Sequence, residues 1–384
     1  MDIQIVSDDT GLQSCLNNLQ NTDEIAVDLE FDKNFYRFGF NLCLMQIQCN
    51  GTSFLVDPLS SNVEIKHLFP VLEDPSVQKI VFSFGEDLRL LHSMGCFPKN
   101  LYDLSIAAAL LNYPPASLTN LLSDVLNRDT GKSSQQSNWF RRPLSDQQIH
   151  YAAQDVCHLA DLKKILDDKA DNTQIASWIA EENKLLTEQD FSETDNNNII
   201  KDKDKKDFSE YEWHQYKALI RTREEIAEKY NIPGYQVVDK NYLIDVAKKP
   251  ELISRFKSAR GIHRRVDPDY AKKRFEKSLD QAVSEAESHQ LSKTEPAQKS
   301  PTAEEWAEIK EQKKKLDHLK NVFFTPVKNR MNDDLGEQTT TFLFSNRVVA
   351  EITVNPGALQ PDYKRQLLIR YGRELGLDTG FLEI

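Results

Sequence analysis

Residues 25–31 read Ile25-Ala26-Val27-Asp28-Leu29-Glu30-Phe31. An apolar run carries two acids, two positions apart. In a β-strand, residues i and i+2 share a face, so Asp28 and Glu30 point together while Val27, Leu29 and Phe31 point the other way. Two carboxylates side by side on a hydrophobic strand repel and raise each other's pKa. A solvated edge strand tolerates such a pair, and so does a site that uses it.

Working outward, Leu42–Cys49 (LCLMQIQC) and Ser53–Asp57 (SFLVD) read as second and third strands, with Gly51 in the turn between them. Lys79–Phe84 (KIVFSF) is a fourth, ended by Gly85, after which helical periodicity runs from Glu86 to about Met94. A short extended piece, Leu101-Tyr102, leads into an Ala/Leu helix over Ser105–Leu111 that Pro114-Pro115 stops. Ser145 and Gln148 form a capping-box pair behind Pro143 and start a helix expected to reach about Lys169. Hairpin strands followed by alternating strands and helices predict an α/β domain over residues 1–183, a mixed sheet flanked by helices.

The rest of the chain reads as helical. Residues 184–208 are polar and Asn-rich, as in a linker. Residues 209–290 carry helices over Tyr211–Tyr230, Asp239–Ala247, Glu251–Ser258 and Tyr270–Ser288, with breaks at Pro233-Gly234 and Arg260-Gly261. A second linker is expected at 291–302, and a further helical region at 303–384 opens with Ala303–Asn321 and closes near Tyr363–Leu375. A length of 384 residues suits two or three domains. The start of the chain lacks a basic segment followed by an apolar stretch, and no run approaches the ~20 apolar residues of a membrane span. The five cysteines form no CxxC pair and read as reduced, buried thiols. A cytoplasmic protein without membrane association is the expectation.

Three further residues join the strand acids. Asp87 falls in the first turn of the helix after Gly85, where the helix dipole favours an acid. Tyr151 and Asp155 are i and i+4 on one helix face, with Cβ atoms ~5–6 Å apart. Their small apolar neighbours Ala152, Ala153 and Val156 suit a buried helix–sheet contact, so a core Tyr–Asp hydrogen bond and a catalytic pair both satisfy the spacing. Acids from strand ends and a late helix can converge at one end of a sheet. An all-oxygen cluster needs cations and selects hard divalent ions such as Mg²⁺ or Mn²⁺. Two such ions, ~3.5–4 Å apart, suit a phosphodiester displacement.

The net charge of −12 argues against a nucleic-acid binder on average. Charge is segregated, however: Lys257, Arg260, Arg264, Arg265, Lys272 and Lys273 cluster between Arg255 and Arg274. That stretch suits either RNA phosphates or a solvated helical surface. Phe38, Phe40 and Met45 follow the strand acids and suit either a core or stacking on a terminal base.

Taken in order, Asp28-Leu29-Glu30, Gly85-Glu86-Asp87-Leu88, and Arg142-Pro143-Leu144 followed by Tyr151-Ala-Ala-Gln-Asp155 resemble the three exonuclease motifs of the DEDD superfamily. The Tyr four residues before the last Asp marks the DEDDy branch. The segments CLMQIQ, LYDLSIAAALL and Lys132 through Trp139 resemble ribonuclease D. Residues 209–290, through ALIRTREEIAEKYNIPGYQVVDKNYLIDVAKK, resemble the HRDC domain that follows the nuclease in that family; TFLFSNRVVAEI and LIRYGRELGL resemble a divergent second HRDC unit. The resemblance implies a ribonuclease H-like fold followed by all-α HRDC domains. It implies Asp28, Glu30, Asp87 and Asp155 as ligands of two divalent ions and Tyr151 as the residue that orients the attacking water. It also implies a monomeric enzyme releasing nucleoside 5′-monophosphates from RNA 3′ ends, with tRNA precursors as substrates. A DNA 3′-5′ exonuclease of the proofreading or Werner type shares these motifs. An inactive RNA-binding scaffold is expected to lose at least one of the five residues, and all five are present.

Overall fold

The computed structural model describes residues 2–128, 135–191 and 199–383. Residues 132–134 of the Lys132–Trp139 segment and 192–198 of the expected linker lie outside them. Six strands form one mixed sheet in the order β1-β4-β3-β2-β5-β6. They are β1 Asp2–Val6, β2 Glu24–Lys33, β3 Phe40–Cys49, β4 Thr52–Val56, β5 Gln78–Val81 and β6 Leu101–Asp103. β1 runs parallel to β4, β3 antiparallel to β4, and β2, β5 and β6 run parallel in sequence. β2 therefore lies between β3 and β5. Its acids come from the middle of the sheet, which removes the edge-strand explanation for them.

The helices are α1 Asp9–Leu19, α2 Phe69–Glu73, α3 Gly85–Ser93, α4 Leu104–Leu110, α5 Leu118–Leu126, α6 Asp146–Cys157, α7 Leu159–Ala170, α8 Gln174–Glu188, α9 Glu210–Tyr230, α10 Lys240–Lys248, α11 Pro268–Ser288, α12 Ala303–Leu319, α13 Thr325–Leu335, α14 Glu337–Leu343, α15 Asn346–Val354 and α16 Asp362–Glu374. Helices α1, α2 and α8 are not marked in the sequence, α8 running to Glu188 inside the expected linker, and four further features depart from that reading. β1 is an extra edge strand, mostly exposed and so without a strong apolar signal. α5 is an extra helix, started by the Ser117 side chain accepting from the Asn120 N–H. The single helix expected from Ser145 breaks at His158, where φ is −112° and ψ 1°, giving α6 and α7. Residues 250–258 wind as a 3₁₀ helix rather than an α-helix.

By internal packing the chain divides into two units. The first comprises Met1–Glu30, Cys43–Ser192 and Thr302–Ile384. One core runs through it, joining Ala26 and Ile80 of the sheet, Leu162 and Leu166 of α7, and Phe323, Leu367 and Tyr371 from the last third of the chain. Burial of each large apolar side chain contributes about 1.5–3 kcal/mol, so the late helices add to the same stability as the sheet. A buried polar contact reinforces this. Glu182 of α8 accepts from Tyr363 Oη at 2.6 Å and pairs with Lys364 Nζ at 2.8 Å, and Trp178 stacks on Tyr363 with the rings 6° from parallel. At the sheet edge, two outward N–H groups of β6 find side-chain acceptors on α8. Leu101 N donates to Thr187 Oγ1 at 3.3 Å and Asp103 N to Asn183 Oδ1 at 2.6 Å.

The second unit comprises Phe31–Leu42 and Glu193–Pro301. α9, α10 and α11 enclose a core that includes Tyr216, Leu219, Leu243, Phe256 and Phe275, with Phe38 packed against it. α9 begins with a full capping box between Ser209 and Glu212. Among the described residues, no helix is long and apolar enough to cross a membrane.

Candidate active site

Strand alternation places Asp28 and Glu30 on one face of β2, as their spacing requires. α6 brings Asp155 to the same place. Asp28, Glu30 and Asp155 each offer a carboxylate oxygen within 4.8 Å of the others. Asp87, in the first turn of α3 and buried, acts on this trio through its charge: it raises Glu30, and Asp28 raises it in turn. The Tyr151 side chain hydrogen-bonds to Asp155, one helical turn away, and its ring lies 6.2 Å from that of buried Trp139. The i, i+4 pair thus makes the expected contact, and it faces the acids.

All four acids are held well above the ordinary carboxylate range, with burial the largest cause in each case. Asp28 is pushed up to about 7, opposed only by a backbone hydrogen bond at Leu29. Asp155 rises to about 8, with the charge of Asp28 adding to burial and the Tyr151 hydrogen bond opposing it. Glu30 rises under burial and the charges of Asp28, Asp155 and Asp87. No lysine or arginine among the described residues contributes to any of these shifts. Four crowded carboxylates without a cationic side chain form an incomplete electrostatic unit. An oxygen-only donor set with unmet negative charge fits hard divalent cations.

Two supports were given no role in the sequence, although Arg142 stood inside the third motif. The first is Asp103, at the end of β6. Its buried carboxylate accepts from Ser83 N at 2.9 Å, Phe84 N at 3.0 Å, Ser105 N at 2.9 Å and Ser105 Oγ at 2.7 Å. Ser83 has a left-handed φ of 54°, uncommon for a residue with a side chain. Asp103 therefore pins the turn from which α3 departs and fixes where Asp87 points. Its only sequence signal is an Asp just before a helix, which reads as an ordinary N-cap.

The second is Arg142. Its guanidinium grips Asp57 of the loop after β4, with Nη2–Oδ1 at 2.7 Å and Nε–Oδ2 at 2.5 Å. It also donates to the carbonyls of Cys43 and Trp139 at 2.7 Å each. This planar, bidentate clamp holds the approach to α6 against the sheet. α6 itself starts with the capping box read from the sequence: the Ser145 hydroxyl and Gln148 side chain each serve the other's backbone.

The basic residues singled out in the sequence lie in the helical unit. Lys257 pairs with Asp269 at 2.7 Å and Lys272 with Glu276 at 3.4 Å. Arg260, Arg264, Arg265 and Lys273 are exposed. Of the aromatic group, Met45 is fully buried, while Phe40 meets Phe31 edge-on at 5.1 Å.

Residues 3–171 match the family model described as 3′-5′ exonuclease. The sheet and the acid cluster described above lie within that match. Over a longer stretch the chain is similar to ribonuclease D: it is 26% identical over 271 residues to the ribonuclease D of Bartonella henselae, covering 69% of this chain and 66% of the relative. The matched region spans about two thirds of the curated relatives' length. The fold is also that of Escherichia coli RNase D, described as an exoribonuclease involved in structured RNA processing (TM-score 0.69, 19% identity, 97% of this chain and 99% of that one). The catalytic core of RRP6 from Trypanosoma brucei superposes with a TM-score of 0.62 at 24% identity, covering 74% of this chain and 80% of that one.

Proposed function

We propose that this chain is a 3′→5′ exoribonuclease that hydrolyses the terminal phosphodiester of RNA and releases nucleoside 5′-monophosphates. The observation that carries the reading is the carboxylate trio, Glu30 buried and Asp28 and Asp155 half-buried, with no cationic partner among the described residues and beside a tyrosine bonded to one of its members. Asp28, Glu30, Asp87 and Asp155 would hold two divalent ions, Mg²⁺ or Mn²⁺. Bound there, such ions supply charge stabilisation to the attacking and leaving oxygens and acidify a water. Tyr151, hydrogen-bonded to Asp155, would orient the attacking water. Trp139 limits how far the Tyr151 ring can move. Asp103 and Arg142 set the positions of α3 and α6 and so the spacing of the four acids.

The substrate is read as RNA, in particular 3′-extended tRNA precursors, because the sequence similarity is to ribonuclease D. Residues 209–290 are read as an HRDC module and 303–384 as a divergent second one. A monomer in the cytoplasm fits the five free thiols, four of them buried. The test is incubation of 3′-extended tRNA, and of matched RNA and DNA oligonucleotides, with Mg²⁺, Mn²⁺ or EDTA, reading product ends by sequencing. Stepwise shortening of RNA with a divalent ion and none in EDTA is expected. Preferential shortening of DNA would replace this reading with the proofreading-type alternative.

A further inference from the structure

The loop between β2 and β3 carries two of the most exposed aromatic rings in the protein. Phe35 is 61% exposed and Tyr36 38%, and their rings meet edge-on at 4.7 Å. Apolar rings in water on a long, mobile loop would need no explanation. This loop is instead built. The buried carboxylate of Asp32 accepts from the N–H groups of Phe35, Tyr36 and Arg37 at 3.3, 3.0 and 3.1 Å. Asn34 N closes the loop onto Gly39 O at 2.8 Å. A third ring, Tyr235, is 52% exposed and donates its hydroxyl to Phe35 O at 2.9 Å.

The same patch borders the basic turn of the helical unit. Gln236 Nε2 donates to Tyr235 Oη at 3.2 Å, and Gln236 O accepts from His263 N at 2.7 Å. Gly261 takes φ +87° and passes so close to the Tyr235 carbonyl that a Cβ there would sit 3.0 Å from it. Arg265 N donates to His263 Nδ1 at 3.2 Å. The turn from Arg260 to Arg265 is therefore fastened to the residues that hold Phe35. Lys257 and Lys272, just outside this turn, are neutralised by Asp269 and Glu276. Arg260, Arg264 and Arg265 are exposed and have no ion-pair partner among the described residues.

We propose that Phe35, Tyr36 and Tyr235 form a stacking platform for single-stranded RNA, with Arg260, Arg264 and Arg265 meeting its phosphates. Exposed rings accept any base face, and flanking guanidinium groups track the backbone, the combination that binds single strands without regard to sequence. The aromatic part of this footprint is built by two segments about 200 residues apart in sequence and fixed by the Tyr235–Phe35 hydrogen bond. The proposal rests on the reading of RNA as the substrate and adds where the strand is held.

The test uses the full chain in EDTA, so that binding is read without turnover, and a labelled oligo(U) of about 12 nucleotides, within the span of such sites. Phe35→Ala is expected to weaken binding by about 5- to 100-fold, the effect of losing one stacked base. Phe35→Trp is expected to retain affinity, and its added emission should be quenched by the oligonucleotide. Arg264→Gln with Arg265→Gln should flatten the salt dependence by about 1.4 in log–log slope. A blunt RNA duplex should be nearly indifferent to Phe35→Ala, since its bases are already stacked. Binding by Phe35→Ala within twofold of the parent, no quenching of the Phe35→Trp emission, or an equal loss with duplex each overturns the platform. If the parent still trims RNA 3′ ends in Mg²⁺, the function above survives that result. If the parent neither binds nor trims RNA, both readings fall.

Discussion

Two groups of carboxylates, buried or half-buried, lie in the same folding unit and are treated in opposite ways. Glu182 is met by a phenol at 2.6 Å and an ammonium at 2.8 Å. Asp57 is gripped bidentately by Arg142. Among the described residues, Asp28, Glu30, Asp87 and Asp155 feel one another's charges, those of Asp103 and Glu86, backbone hydrogen bonds at Leu29 and Asp87, and the Tyr151 side chain, with no cationic side chain among them. Glu182 and Asp57 each receive a cationic side chain. Among the described residues the four clustered acids receive none, and all four are held above the ordinary carboxylate range.

The strongest way to break this contrast is Asp28→Asn. It should reduce RNA turnover on the order of 10³-fold or more, because it removes a charge needed only in the reaction. In EDTA the same variant should melt no lower than the parent, since it relieves repulsion. Full turnover by Asp28→Asn would end the site assignment. Lys364→Met is the converse. Removing one partner of a satisfied buried pair costs about 3–5 kcal/mol, so thermal or urea unfolding should show a large loss that added Mg²⁺ does not single out for repair. A melting temperature equal to the parent's would mean that Glu182 needs no cation.

Asp103→Asn probes the support of the unsatisfied group. The amide keeps the shape but offers one acceptor oxygen in place of two to the N–H groups of Ser83, Phe84 and Ser105. The expected result is a fall in kcat of about 10–100-fold with KM for RNA little changed, the signature of misplaced catalytic groups. A rise in KM alone would assign Asp103 to substrate binding instead. The smallest effect is in pH. Carboxyls raised in the folded state contribute stability that is full below their unfolded pKa, near 4, and is lost as pH rises through the folded values, about 7 for Asp28 and about 8 for Asp155. Metal-free protein should therefore melt progressively lower from pH 4 to 8, by several degrees on the scale of about 1–2 °C per kcal/mol for a chain of this size. Mg²⁺ or Mn²⁺ at pH 8 should recover the loss; an unchanged melting temperature on adding either ion would contradict the fit of the site to divalent cations.

Much of the sheet and of the acid cluster could be read from the sequence because local rules decide them. Alternation put Asp28 and Glu30 on one face, the Ser145–Gln148 box fixed the start of α6, and the i, i+4 spacing joined Tyr151 to Asp155. What escaped depends on partners distant in the chain. The Asp57–Arg142 clamp spans 85 residues, and the Asp103 carboxylate reaches back 20 residues to Ser83 across a strand and a helix. β1 lacks an apolar pattern because it is an exposed edge. The helices after residue 302 showed periodicity, but periodicity does not say that their apolar faces complete the core beneath the sheet rather than one of their own.

The treatment of β6 has a consequence for how molecules of this protein behave together. It is the terminal rung of the sheet, where an open row of donors would invite a strand from a neighbour. The Asn183 amide and the Thr187 hydroxyl already occupy two of those donors. Fibre-like growth from that side is thus blocked by two side chains of one helix, and shortening the protein from within α8 would unmask an adhesive margin.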